Sequence, residues 1–220
     1  ADEKEFNGDR AAPFVSNAFV RLGTYYRQGI PNSRVKPDFT RARQLFYNAA
    51  SMFGNGEAQL QLAVMNYYGE GGARDLIQAA KWANLAAEKG NPEARELAIQ
   101  VSLDLADAHM RGEGTQRSAR EAAKWARQAA DYGSIDGQAL LGHILFEGDG
   151  VVRQPVEGLA YLTIALTRSE GKERWIADLH EQARSAATEA EWAAARVRAD
   201  EWIAAHPNLM TVTTAAAPAN

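Results

Sequence analysis

The chain has 220 residues, 46% hydrophobic and 24% charged, with a formal net charge of −4, so it lacks the basic excess that a nucleic-acid partner requires. It contains no cysteine, which excludes disulfides, thiolate metal ligands and a cysteine nucleophile. No run of about 18 apolar residues is present to span a bilayer, and no Lys/Arg cluster suits an anionic membrane. The opening ADEKEFNGDR carries no visible export signal, so any such signal is expected to have been removed or never to have existed.

Residues 1–12 have little to bury and read as a flexible start. From there the chain repeats itself. A first unit, 13–54, places Leu22-Gly23 seven residues before Gly29, then runs through Pro31 and Pro37 to Ala42, Leu45, Ala49 and Ala50. The second, 55–90, has Leu62-Ala63, Gly69 and Gly71, then Ala79, Trp82, Ala86 and Ala87. The third, 91–133, has Leu105-Ala106, Gly112 and Gly114, then Ala122, Trp125, Ala129 and Ala130. The fourth, 134–168, has Leu141-Gly142, Gly148 and Gly150, then Gly158, Tyr161, Ala165 and Leu166. Four registers agreeing at this many positions identify an internal repeat.

Each unit reads as two helices. The aligned Leu and the apolar groups three to five residues later share one face, and the small residue beside the Leu admits a neighbouring helix. The glycines supply positive φ and end the first helix. Neither helix can bury its stripe alone, so units must stack. The spacing is uneven: 40 residues from Leu22 to Leu62, 43 from Leu62 to Leu105, and 36 from Leu105 to Leu141. Gly90 precedes Leu105 by 15, whereas Gly54 precedes Leu62 by 8 and Gly133 precedes Leu141 by 8. An excess of seven is two helical turns with about 20° of drift, so the buried face is kept. One long helix is therefore expected from about Pro92 to Met110, with Asn91 as N-cap. Residues 173–206 read as a capping pair of helices, the second opened by Thr188 and Glu191 in capping-box spacing. Trp175, Trp192 and Trp202 are expected to cover the last repeat, and residues 207–220 to form a disordered tail.

The signature LGxxYxxGxG followed by AxxWxxxAAxxG resembles the Sel1-like repeat family, α/α solenoids akin to tetratricopeptide repeats. The resemblance covers roughly residues 14–168 and implies an all-α, right-handed solenoid of about four helix pairs with a C-terminal cap. Asn66 and His109 stand where the motif prefers Tyr, and Leu45 where it prefers Trp. The stretches APFVSNAFVRLGTYYRQGIPNSRVKPDFTRARQLFYNAASMFGN and GLAYLTIALTRSEGKERWIADLHEQARSAATEAE are similar to exopolysaccharide regulators of the ExoR type from alphaproteobacteria. That resemblance implies export to the periplasm and restraint of a two-component sensor histidine kinase through its periplasmic domain. It also implies further repeats upstream, so the chain is expected to be a fragment or a processed form.

Glu70, Glu113 and Asp149 occupy the same turn in three units, whereas catalysis needs one convergent constellation, so they read as structural. None of His109, His143, His180 and His206 has a second ligand at helical spacing. They read as ordinary imidazoles, with a pH response centred on His109 or His143 as the sharper alternative. No nucleophile elbow, phosphate loop or dinucleotide fingerprint occurs, and no metal or cofactor is expected. Trp82 and Trp125 read as core.

What remains is the concave face of the first helices. Counting two, five and six residues past each aligned Leu gives Thr24, Arg27, Gln28; Val64, Tyr67, Tyr68; Asp107, Met110, Arg111; and His143, Phe146, Glu147. Five residues before add Asn17, Glu57 and Asp136. Aromatic and arginine anchors of this kind suit a protein partner. The expectation is a non-enzymatic, periplasmic protein-interaction module that negatively regulates a sensor kinase and thereby exopolysaccharide production. The alternatives are an envelope scaffold for other complexes and a cell-wall glycan-binding protein or weak hydrolase.

Overall fold

Short polar residues start most of the helices. In the computed structural model, which describes residues 8–209, Asp38, Asn55, Asp75, Asn91, Ser118, Ser134 and Thr188 each accept a backbone N–H three residues on. Each bond satisfies a donor that the first helical turn leaves without a partner. The resulting helices are α1 (Gly8–Gln28), α2 (Phe39–Phe53), α3 (Gly56–Tyr68), α4 (Leu76–Ala87), α5 (Pro92–Arg111), α6 (Ala119–Asp131), α7 (Ile135–Glu147), α8 (Pro155–Arg168), α9 (Arg174–Ala186) and α10 (Glu189–Ala205). A 3-10 turn, Pro207–Leu209, follows. α5 covers the span expected of the lengthened helix. Gly69 and Gly148 end α3 and α7 with φ of 74° and 72°, so FEGDG is a helix-ending turn.

Two compact units divide between Val101 and Ser102. In the first, α1 packs on α2 and α3 on α4, and α2 also packs on α3, which joins the two pairs. Small residues make these approaches possible: Ala42, Ala49, Ala58, Ala63 and Ala79 are fully buried. In the second, α6 packs on α7 and α7 on α8, while α9 and α10 both pack on α8 and form the cap. At the α7–α8 crossing the approach is backbone to backbone. A Cβ on Gly142 would lie 2.7 Å from the Gly158 carbonyl oxygen, and one on Gly158 would lie 2.6 Å from that of Gly142. Trp82 and Trp125 are buried.

Four expectations are corrected. α1 starts at Gly8, inside the stretch 1–12 read as flexible; Pro13 gives up its own backbone bond without ending the helix. Residues 1–7 and 210–220 lie outside the described residues. Pro207–Leu209 is ordered as a turn rather than tail, and the Leu209 carbonyl accepts a 3.0 Å bond from Arg168 Nε. Trp175 is 41% exposed, while Trp192 and Trp202 pack on the α8 cluster as expected. Leu22 is 47% exposed although Leu62, Leu105 and Leu141 are buried. Leu62 on α3 packs against α2.

Candidate functional site

In the first unit the candidate residues lie on α1 and α3. Arg27, at the end of α1, is committed internally. Its Nε donates to Glu70 Oε2 at 2.7 Å, one terminal nitrogen to Glu70 Oε1 at 3.1 Å, and the other to Gln61 Oε1 at 2.6 Å. Gln61 in turn donates to Glu57 at 2.7 Å. This chain fastens α1 to α3 and to the turn after it, so Glu70 has the structural role expected of it and Arg27 is a brace as well as a surface group. Thr24 donates its hydroxyl to the Val20 carbonyl, which spends its donor within the helix. Asn17 receives a 3.4 Å contact from Asn55, and Gln28 is exposed. Val64 packs against the small cluster of Leu60, Ala86 and Ala94.

Tyr67 and Tyr68 close α3. Their rings meet edge to face with centroids 4.9 Å apart, and Tyr68 is 68% exposed. They form one wall of an open groove of about 530 Å3 whose other wall is α5, through Glu93, Glu96, Leu97 and Gln100. Counting from the aligned leucines finds the tyrosines but not the α5 wall. The signal for that wall was the seven-residue excess between Gly90 and Leu105.

In the second unit the candidates lie on the last turns of α5 and on α7. Asp107 and Arg111 pair with each other at 2.9 Å, and Met110 beside them is half-buried. Glu147 is exposed and His143 half-buried. Phe146 does not belong on a binding face. It is 4% exposed, sits in the cluster with Leu159, Leu162 and Ile176, and has the Arg153 guanidinium 5.0 Å from its ring. The Gly142–Gly158 crossing brings α8 against this side of α7, which buries the ring. Asp136 stands at an exposed edge; local desolvation, aided by the Glu173 carboxylate, raises its carboxyl above the usual range.

Two features of the second unit escaped the sequence. Arg168 is 8% exposed and donates to the Leu209 carbonyl, the Gly133 carbonyl at 2.9 Å and Gln138 Oε1 at 2.9 Å; burial lowers its basicity. His180, on α9, has a depressed proton affinity. Burial, then the Arg184 cation, hold it below the ordinary imidazole value. Its Nε2 lies 3.2 Å from Thr163 Oγ1, and its ring meets Trp192 edge to face at 5.7 Å. A further cavity of about 300 Å3 lies between α8 and α10, walled by Tyr161, Trp202, Glu157 and Arg198. Among the described residues no group of three His, Asp or Glu is placed to hold a metal ion, and no helix is long and apolar enough to cross a membrane.

Helix pairs in series, bearing aromatic and charged groups on their first helices, define a repeat scaffold of the kind that binds other polypeptides. The chain belongs to the Sel1 repeat family, whose repeat model matches residues 18–52, 56–91, 102–134 and 135–168. It is similar to an exopolysaccharide production negative regulator of Rhizobium meliloti, with 33% identity over 83% of this chain and 51% of that protein. It is also similar to a protein of the same description from Rhizobium leguminosarum bv. viciae, with 35% identity over 84% of this chain and 52% of that one. The chain thus spans about half the length of these curated relatives. A solved Sel1 repeat protein from Oxalobacter formigenes matches 76% of this chain and 63% of its own, at 24% identity and a TM-score of 0.48.

Proposed function

We propose that this chain is the protein-binding part of an exported negative regulator of exopolysaccharide production. It acts in the periplasm by holding the sensory domain of a membrane sensor histidine kinase in its kinase-off state. The observation that carries this reading is the identity of 33–35% with two proteins so described, spread over more than four-fifths of the chain. The Tyr67–Tyr68 face supports it, since exposed aromatics beside charged residues are typical interface anchors.

The mechanism is occupancy. A bound regulator shifts a kinase between two states only by its differential affinity for them, so it must bind the off state more tightly. Moving a kinase from 1:99 to 99:1 in favour of the off state takes about a 10⁴-fold difference. Signal release is then loss of the regulator by proteolysis or by a change in its shape.

The test has two arms. Titration of the purified chain with the isolated periplasmic domain of the kinase, followed by calorimetry, should give saturable binding. Deleting the gene should raise exopolysaccharide, and a copy directed to the periplasm, but not one retained in the cytoplasm, should restore it. No heat of binding together with unchanged exopolysaccharide in the deletion strain rejects the reading.

A further inference from the structure

Two extra turns give α5 20 residues, against 13 in the corresponding helices α3 and α7. They comprise about residues 92–98 and point two ways. Inward, Ala94 and Ala98 are fully buried and continue the core seam. Outward, Glu93 and Glu96 stand one turn apart on an exposed face, with Gln100 one turn further on. Leu97 lies half-buried between these faces, held against the Leu60, Ala86 and Ala94 cluster. The insertion therefore adds little core beyond two alanines, and it builds a wall opposite Tyr67 and Tyr68.

That wall gives the groove its chemistry. Among the described residues, Glu93 and Glu96 take part in no salt bridge. The nearby cations are engaged: Arg74 donates to the Tyr67 carbonyl at 2.9 Å and lies 5.1 Å over the Tyr67 ring, Lys89 bonds the Gly54 carbonyl, and Arg95, between the two glutamates in sequence, has a partner as well. The groove thus sets the aromatic wall of Tyr67 and Tyr68 against an α5 wall that carries Leu97 and two carboxylates. An aromatic face beside carboxylates attracts a cation through both its quadrupole and the rim charge.

We propose that this groove is a docking site for a segment of a partner protein that carries Lys or Arg next to an aliphatic or aromatic residue. The cation sits between Glu93, Glu96 and the Tyr68 ring, and its apolar neighbour rests on Tyr67 and Leu97. The inference rests on the protein-binding reading above and adds the chemistry of the segment bound; it does not depend on the partner's being a kinase.

The test is a selection of phage-displayed random dodecapeptides on the immobilised chain, counter-selected on the double variant Glu93→Gln/Glu96→Gln. Enriched peptides should pair Lys or Arg with Leu, Ile or Phe. A fluorescein-labelled consensus peptide, followed by anisotropy, should bind the double variant about tenfold more weakly. It should also weaken about tenfold between low and high salt, where screening shortens to a few ångström, and lose most of its affinity with Tyr68→Ala. Because these side chains are exposed, circular dichroism of the variants should match the parent. No enrichment, enrichment of acidic or uncharged peptides, or equal affinity for the double variant overturns the proposal. No kinase enters this experiment, so its failure leaves the sensor-domain titration standing, and the reverse also holds.

Discussion

Adding one methyl group at the α7–α8 crossing should destabilise the second unit. In Gly158→Ala the new Cβ would lie 2.6 Å from both the Gly142 carbonyl oxygen and the Phe146 nitrogen, and 2.9 Å from Phe146 Cα. Ordinary contact is about 3.5–4.0 Å, so the helices must part locally by about 1 Å. The opposing atoms are backbone and cannot rotate aside, which puts the cost near the upper end of overpacking, about 3 kcal/mol. Replacing glycine inside a helix returns about 1 kcal/mol. The net expectation is a loss of about 2 kcal/mol, or about 4–8 °C in Tm for a chain of this size. Thermal melts by circular dichroism, with urea unfolding alongside, measure it. Gly142→Ala should behave similarly, and the double variant should cost less than the sum, because the helices part only once. The equivalent positions of the second pair hold Ala63 and Ala79, both fully buried. If Gly158→Ala melts at or above the parent, the fourth pair relaxes freely to an alanine-type spacing and the reasoning fails.

Three further outcomes are expected. Burial and Arg184 depress the proton affinity of His180, so the stability tied to its neutral form is present above the unfolded value of about 6.5 and is lost as pH falls below it. His180→Gln should flatten the fall of Tm between pH 7.5 and 5.5, the slope involved being at most about 1.4 kcal/mol per pH unit; parallel profiles for variant and parent would remove His180 from the explanation. Arg27→Ala should cost about 1.5–3 kcal/mol in urea unfolding through loss of its charged bonds to Glu70 and Gln61, and Arg27→Lys should recover less than half, since an ammonium cannot reproduce the fork. Thr188→Ala should cost about 1 kcal/mol by opening the capping box that starts α10, and Thr188→Ser should restore most of it.

These expectations separate what could be read along the chain from what could not. The paired helices, their glycine turns, the lengthened α5 and the Thr188–Glu191 cap are each encoded within one or two turns of sequence, and they stand where the pattern put them. The candidate face fared unevenly. Tyr68, Gln28 and Glu147 are exposed as a face requires. Phe146 is not, because its burial depends on how closely α8 approaches, and that distance is set by Gly158 twelve residues further on. Arg27 was legible as a charged residue at the right register, but its partners lie 34 and 43 residues away. The depressed proton affinity of His180 was not legible for the same reason: Thr163 on α8 and Trp192 on α10 pack against its ring.

The sequence by itself determined the period of the repeat, the small-residue seam along which helices meet, and the extra turns of α5, because periodicity and capping are local properties of a chain. Tertiary packing decided which members of a repeated position face water, which charges brace the helices internally, and that the extra turns stand across from Tyr67 and Tyr68. Those outcomes depend on distances between helices, and a distance between helices is a property of side-chain volumes on two elements at once.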